Sequence, residues 1–162
     1  MARVGTVPTT TLITAAAPPR VCARRGAILI VEDRADVRQG LAQLLEFQGY
    51  VVFEAADFDQ ACAQLKASPQ GIALILLDLN LPGLGGEQIR ATQLANPALA
   101  DIPAIVVSAS SPDVPGSANL QAAAWIEKPF RFDQLLEEVR RFVLPEGSDH
   151  FRTSNPIQLP DA

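Results

Sequence analysis

Five short apolar runs, separated by segments with helical periodicity, constrain the fold of this 162-residue chain more than any other feature. The runs cover residues 27–31, 50–55, 72–77, 104–109 and 124–127. Between most of them, apolar side chains recur at spacings of three and four residues, as they do in an amphipathic helix. Strands that alternate with helices need crossover connections and therefore form a parallel sheet. The sequence predicts a five-stranded, doubly wound α/β fold.

The helices end at residues that stop a helix. The first is predicted to end at Gly49, the second before Pro69, and the third near Asn96. The last is predicted from a stripe of five apolar residues: Phe132, Leu135, Leu136, Val139 and Val143. The segment between the fourth and fifth strands contains prolines, which disfavour a helix interior. We therefore predict that its helix is short, beginning near Ser117, or is replaced by a loop.

One domain with two tails is the predicted organisation. Residues 1–26 contain no acidic residue, show no hydrophobic period and are rich in Thr, Ala, Pro and Arg, so we predict a disordered tail. An organelle transit peptide and an over-long gene start are alternative interpretations of this tail. The domain is predicted to cover residues 27–144. Residues 145–162 are predicted to be a flexible tail, too short to fold into an output domain.

Charge and cysteine content exclude several classes of function. The formal net charge is −5 although the first 26 residues carry four arginines, so the domain itself is acidic and direct binding to nucleic acid is not expected. Cys22 and Cys62 lack the spacing of a metal or redox site, and we expect reduced thiols. No apolar run approaches the roughly 18 residues of a membrane span. We expect a soluble, cytoplasmic protein without membrane contact.

Polar residues follow four of the five predicted strands. Glu32 and Asp33 follow the first, Asp78 follows the third, Ser108 closes the fourth and Lys128 follows the fifth. Because the carboxyl ends of parallel strands meet at one edge of the sheet, these side chains should lie close together. Carboxylates that lie close together repel one another unless a cation offsets their charge. Hard oxygen ligands such as these suit Mg²⁺. The sequence predicts a divalent metal site beside a carboxylate that can act as a nucleophile towards phosphorus.

Each of these residues also has an ordinary role. Asp33 could cap the first helix, Asp78 could belong to a turn, and Glu32 and Lys128 could be solvated surface charges. Ser108 could be a strand-end hydroxyl without a function. Their placement on successive strand ends of one sheet favours a common site over five independent roles.

The motifs "ILIVEDR", "LILLDLNLPGLGG", "VVSAS" and "WIEKPF" occur in this order. Together they resemble the receiver domain of bacterial two-component response regulators, from about residue 27 to residue 144. The resemblance implies a flavodoxin-like sheet with strand order 2-1-3-4-5 and helices on both faces.

The resemblance also implies a role for each residue of the site. Asp78 would accept a phosphoryl group from a histidine kinase or a histidine phosphotransfer protein. Asp33 would bind Mg²⁺ or Mn²⁺ directly, Glu32 would hold the ion through water, and the backbone carbonyl of Asn80 would be a further ligand, with Asp78 completing the metal site. Lys128 would pair with the phosphoryl oxygens.

A second group of residues would transmit the modification. The Ser108 hydroxyl would move to bond a phosphoryl oxygen, and Trp125 occupies the position of the switch aromatic residue, although ordinary packing in the fifth strand is an equal alternative. Ala109 would leave room for phosphodonors. The family commonly has a cis peptide bond between the residues that correspond to Lys128 and Pro129.

The leading prediction is therefore a stand-alone response regulator receiver. It would catalyse only its own modification and would act by binding an unknown downstream protein. The alternatives are an aspartyl-phosphate phosphatase or phosphotransferase, a nucleotide-binding flavodoxin-like domain, and a phosphorylation-independent binding module. Asn80 stands where haloacid-dehalogenase-like phosphatases have a second Asp, which argues against the phosphatase. No Gly-rich phosphate loop follows the first strand, which argues against the nucleotide-binding domain.

Overall fold

The structure is a computed structural model that describes residues 23–83, 85–110, 112–113 and 117–146. Five parallel strands form one sheet in the order β2-β1-β3-β4-β5. The strands are β1 (Ala27–Val31), β2 (Val52–Ala55), β3 (Ile72–Asp78), β4 (Ala104–Ser108) and β5 (Ala124–Glu127). The predicted five-stranded, doubly wound fold and its strand order are confirmed.

Four α-helices connect or follow these strands. They are α1 (Ala35–Phe47), α2 (Phe58–Ala67), α3 (Gly85–Ala95) and α4 (Phe132–Phe142). Gly49, with a φ of 86°, lies in the turn after α1, where a side chain would be strained. The Asp57 carboxylate accepts a hydrogen bond from the Gln60 N–H and caps α2. Val143 was predicted to belong to the last helix, but α4 ends one residue earlier because Val143 is extended and pairs with Arg24.

The helices cover both faces of the sheet. Along β1, Ile28 and Ile30 face α1 and α4, while Leu29 and Val31 face α2 and α3. All five residues of β1, all seven of β3 and all five of β4 are buried, as expected for central strands of a parallel sheet. This double cover leaves the carboxyl edge of the sheet as the place where loops can gather polar side chains.

The segment between β4 and β5 departs from the helical pattern of the other connections. Among the described residues there, one 3₁₀ helix, Ser117–Leu120, is the regular element. The prediction of a short helix that begins near Ser117 is confirmed in position, although the element is a single 3₁₀ turn. Gln121, which follows it, has a φ of 45°.

The ends of the described chain lie side by side. The N–H of Arg24 donates to the Phe142 carbonyl at 2.8 Å, and the N–H of Leu144 donates to the Arg24 carbonyl at 3.0 Å. Most of the two predicted tails, at residues 1–26 and 145–162, lies outside the described residues, and so does Cys22. The domain limits therefore stay a prediction. Cys62 is a free, half-buried thiol.

Within residues 23–146, as far as the structure describes them, no helix has both the length and the apolar surface that crossing a membrane requires.

Candidate functional site

Three carboxylates meet at the carboxyl edge of the sheet. Val31 pairs with Leu77 in the β1–β3 ladder, so the residues that follow them, Glu32 and Asp78, are next to each other. One carboxylate oxygen from each of Glu32, Asp33 and Asp78 lies within 4.8 Å of the others. Glu32 and Asp78 are buried, whereas Asp33 is exposed. The structure therefore brings together the three acidic residues that the sequence singled out.

Lys128 provides the positive charge of this cluster. Its Nζ donates to Asp78 Oδ2 at 2.6 Å and to Glu32 Oε2 at 2.9 Å. The backbone is anchored beside the cluster, because the N–H of Lys128 donates to the Ser108 carbonyl at 2.8 Å. The Lys128–Pro129 peptide bond is cis. A single ammonium thus contacts two buried carboxylates.

Burial and charge change the proton affinity of the site. Burial raises the pKa of Glu32 and the neighbouring Asp78 raises it further, although the hydrogen bond from Lys128 acts in the opposite direction. Burial lowers the pKa of Lys128, but its hydrogen bonds to Asp78 and Glu32 outweigh this and raise the pKa overall. With Asp33 included, the negative charge of the cluster exceeds its positive charge. Its carboxylate oxygens suit a divalent cation.

The turn after Asp78 holds that carboxylate from the other side. The N–H of Asn80 donates to Asp78 Oδ1 at 2.9 Å, so each Asp78 oxygen has a hydrogen-bond donor. A Cβ on Gly86 would lie 2.2 Å from the Asp78 carbonyl oxygen and 2.8 Å from Leu79 Cα. The first turn of α3 can approach the Asp78 turn this closely only because residue 86 has no side chain. The role of the Asn80 carbonyl as a ligand stays a prediction.

Ser108 and Trp125 are joined through one backbone residue. The N–H of Ser110 donates to Ser108 Oγ at 3.1 Å, and Trp125 Nε1 donates to the Ser110 carbonyl at 2.9 Å. Ser108 is completely buried, Trp125 is half-buried and Ala109 is exposed. Hydrogen bonds thus connect the Ser108 hydroxyl to the Trp125 indole through Ser110.

A family model of the response regulator receiver domain matches residues 28–140. The chain belongs to the response regulator receiver family. RegX3 of Mycolicibacterium smegmatis, a sensory transduction protein, is 32% identical over 126 residues, which cover 76% of this chain and 53% of that protein. The phosphate regulon transcriptional regulatory protein PhoB of Escherichia coli is 34% identical over 115 residues, which cover 70% of this chain and 49% of that protein. The chain spans about half the length of these relatives.

Solved structures of receivers have the same fold. The response regulator TrrA of Thermotoga maritima, in complex with Mg²⁺ and BeF, is similar with a TM-score of 0.63 and 26% identity over 72% of this chain and 97% of that one. The chemotaxis response regulator CheY4 of Vibrio cholerae is similar with a TM-score of 0.67 and 25% identity over 73% and 98% of the two chains. The resemblance inferred from the four motifs is confirmed.

Arg38 was not predicted from the sequence and lies beside the acidic loop, Glu32 and Asp33. Arg38 Nη1 donates to the Glu32 carbonyl at 2.7 Å and to the Asp33 carbonyl at 3.3 Å, and its Nε lies 3.2 Å from Glu54 Oε2. The available signal was a cation in the first turn of a helix, where the helix dipole disfavours positive charge.

Two further polar residues of the receiver are buried away from the acidic cluster. Arg90 donates to the carbonyls of Leu120, Gln121 and Ile102 at 2.7, 2.8 and 3.2 Å, and also to the Gln93 side chain. Burial lowers the pKa of this guanidinium. Gln93 follows the buried Ile89 by four residues, so its place on the core face of α3 was the signal that could have revealed the pair.

Proposed function

We propose that Asp78 accepts a phosphoryl group from a histidine kinase or a histidine phosphotransfer protein in a reaction that depends on Mg²⁺, or on Mn²⁺ in its place. The observation that carries this proposal is a buried carboxylate at the end of the central strand, 2.6 Å from the Lys128 ammonium and close to two more carboxylates. The family supports it, because receiver domains are phosphorylated by histidine kinases.

The residues of the site would divide the reaction between them. An oxygen of Asp78 attacks phosphorus, the new O–P bond forms, and the N–P bond to the donor histidine breaks as that nitrogen takes up a proton. Lys128 already lies within hydrogen-bond distance of Asp78 and would pair with a phosphoryl oxygen. The charge of this ammonium is most useful where negative charge gathers on the transferring oxygens.

Glu32, Asp33 and Asp78, with the Asn80 carbonyl, are the residues we propose to hold the metal ion. Their oxygens suit a hard divalent cation, and the Mg²⁺ in the TrrA complex belongs to a similar protein. When bound, the ion would offset the charge of the phosphoryl oxygens as they approach the acidic cluster.

Phosphorylation would act on the surface through Ser108. Its hydroxyl would turn towards the phosphoryl group, weaken its bond with the Ser110 N–H, and shift the carbonyl that holds Trp125. We propose that the altered surface binds a downstream protein, that the receiver acts in the cytoplasm, and that it catalyses only its own phosphorylation and dephosphorylation.

Incubation with acetyl phosphate tests the proposal. Intact-mass spectrometry should show the gain of one phosphoryl group in the presence of Mg²⁺, little gain in EDTA, and none in Asp78→Asn. Asp101→Asn, an exposed aspartate away from the site, is the matched control and should be modified like the unaltered protein. An unmodified protein would point to a binding module, and catalytic release of phosphate from added esters would point to a phosphatase.

A further inference from the structure

We propose that Arg38 is a positioning residue that sets the acidic loop, Glu32 and Asp33, in the arrangement that binds the divalent cation. The inference rests on the proposed function, because it concerns how the same site acquires its metal. The Arg38 guanidinium bonds to backbone atoms of this loop and pairs with a carboxylate of the neighbouring strand.

The acidic loop needs a donor that regular secondary structure does not supply. The strand β1 ends at Val31 and α1 begins at Ala35, so the carbonyls of Glu32 and Asp33 lie between the two elements. Arg38 Nη1 reaches back from the first turn of α1 and donates to both carbonyls, at 2.7 and 3.3 Å. The contact to the Glu32 carbonyl is partly buried and the one to the Asp33 carbonyl is exposed, so one side chain bonds two successive carbonyls at the edge of the site.

The guanidinium is held in place by the adjacent strand. Its Nε lies 3.2 Å from Glu54 Oε2, and Glu54 pairs with Ile30 in the β1–β2 ladder. The Arg38 side chain is only 14% exposed, so its geometry is restricted. The planar fork of arginine contacts loop and strand together through two nitrogens in a fixed geometry.

The other groups of Glu32 are held as well. Its N–H donates to the Ala55 carbonyl at 3.1 Å, and its Oε1 accepts from the Arg34 N–H at 3.3 Å. With the carbonyl bonded to Arg38, the backbone of Glu32 is restrained on both sides of its side chain. The direction of the carboxylate towards Asp78 depends on that restraint.

Electrostatics alone predicts the opposite of positioning, which makes the inference testable by sign. A positive charge close to a cation site repels the cation, so its removal should tighten Mg²⁺ binding if charge were its only effect. Loss of a residue that orients metal ligands weakens binding, by about 10-fold to 100-fold in metal sites. The two roles therefore change the dissociation constant in opposite directions.

Calorimetric titration of the full chain with Mg²⁺ decides between them. We expect Arg38→Met to raise the Kd for Mg²⁺ about tenfold. Arg38→Lys keeps the charge and most of the stem but loses the fork, and should raise the Kd by a smaller factor. Arg34→Met is the matched control, because Arg34 is next to Asp33 in sequence but its side chain bonds Asp36 on the surface. The Kd of this variant for Mg²⁺ should stay unchanged or fall.

Urea unfolding in EDTA separates positioning from general destabilisation. A purely structural role would lower the free energy of unfolding of Arg38→Met while the folded fraction bound Mg²⁺ with an unchanged Kd. An unchanged or lower Kd in both Arg38→Met and Arg38→Lys would overturn the inference. If Arg38→Met does not fold, Arg38→Lys alone carries the test, since charge cannot explain a weaker site. Failure of the unaltered protein to bind Mg²⁺ would instead count against the proposed function.

Discussion

Lys128 Nζ lies 2.6 Å from Asp78 Oδ2 while it also donates to Glu32 Oε2 at 2.9 Å. The two carboxylates are both about 4% exposed at their side chains, so neither is well solvated. One ammonium therefore reduces the repulsion between two buried acids. In the proposed reaction the same ammonium would pair with a phosphoryl oxygen.

Removal of this ammonium should reduce both stability and phosphorylation. Lys128→Met leaves two buried carboxylates without their counter-ion, and we expect a loss of about 3 kcal/mol in the free energy of unfolding in EDTA. The Kd for Mg²⁺ should fall because a competing cation is gone, while the rate of modification by acetyl phosphate decreases. Urea unfolding and calorimetry measure these effects, with the exposed Lys66→Met as control. Unchanged stability would show that the ion pair is not needed for folding.

The pH dependence of stability should report the buried Glu32. Burial raises its pKa above the ordinary value of 4.5, so in the window between 4.5 and the raised pKa the folded protein keeps a proton that the unfolded chain has lost. The free energy of unfolding therefore falls as pH rises through this window, with a slope of up to about 1.4 kcal/mol per pH unit for one proton.

Glu32→Gln removes the titrating group and isolates this effect. The stability of the unaltered protein relative to Glu32→Gln, both in EDTA, should fall as pH rises from about 4.5 and then level off. Glu46→Gln, at an exposed position of α1, is the control substitution. A difference that does not vary with pH would mean that Glu32 has the same pKa in the folded and unfolded chains.

The tryptophan should report the state of the phosphoryl site. Trp125 is the sole tryptophan, and its indole N–H donates to the Ser110 carbonyl. The N–H of the same Ser110 donates to the Ser108 hydroxyl. Mg²⁺ and beryllofluoride added together should change its emission, because a shift of Ser108 alters the Ser110 contact. Ser108→Ala lacks the hydroxyl and should show a much smaller change. Constant emission in the unaltered protein would remove Trp125 from the proposed switch.

The strands and the acidic cluster were predictable because they depend on simple periodic rules. The buried strand from Ile72 to Asp78 is apolar on both faces. The alignment of parallel strands brings their last residues to one edge of the sheet, independent of the loop conformations. The shortness of the helix between β4 and β5 was also predictable, since proline in a helix interior has a known cost.

The contacts of Arg38 and Arg90 could not be predicted in the same way. Each guanidinium bonds to backbone carbonyls that lack a partner in regular structure, and only the three-dimensional path of the loops reveals which carbonyls these are. In the case of Arg90, the 3₁₀ turn that replaces a helix presents the Leu120 and Gln121 carbonyls to α3. A sequence pattern predicts periodic elements, but it does not predict the direction of a carbonyl group in an irregular segment.

Two glycines in helices should respond to alanine in opposite directions. Gly40 lies inside α1 with no atom within 4 Å of an added Cβ, so Gly40→Ala should raise the free energy of unfolding by about 1 kcal/mol. A Cβ on Gly86 would lie 2.2 Å from the Asp78 carbonyl oxygen, and the obstacle is backbone that cannot rotate away. Gly86→Ala should therefore displace α3 from the Asp78 turn and cost about 3 kcal/mol. Urea unfolding measures both changes, and modification by acetyl phosphate should be reduced in Gly86→Ala but normal in Gly40→Ala. Equal effects of the two substitutions would mean that the α3 contact does not support the phosphoacceptor turn.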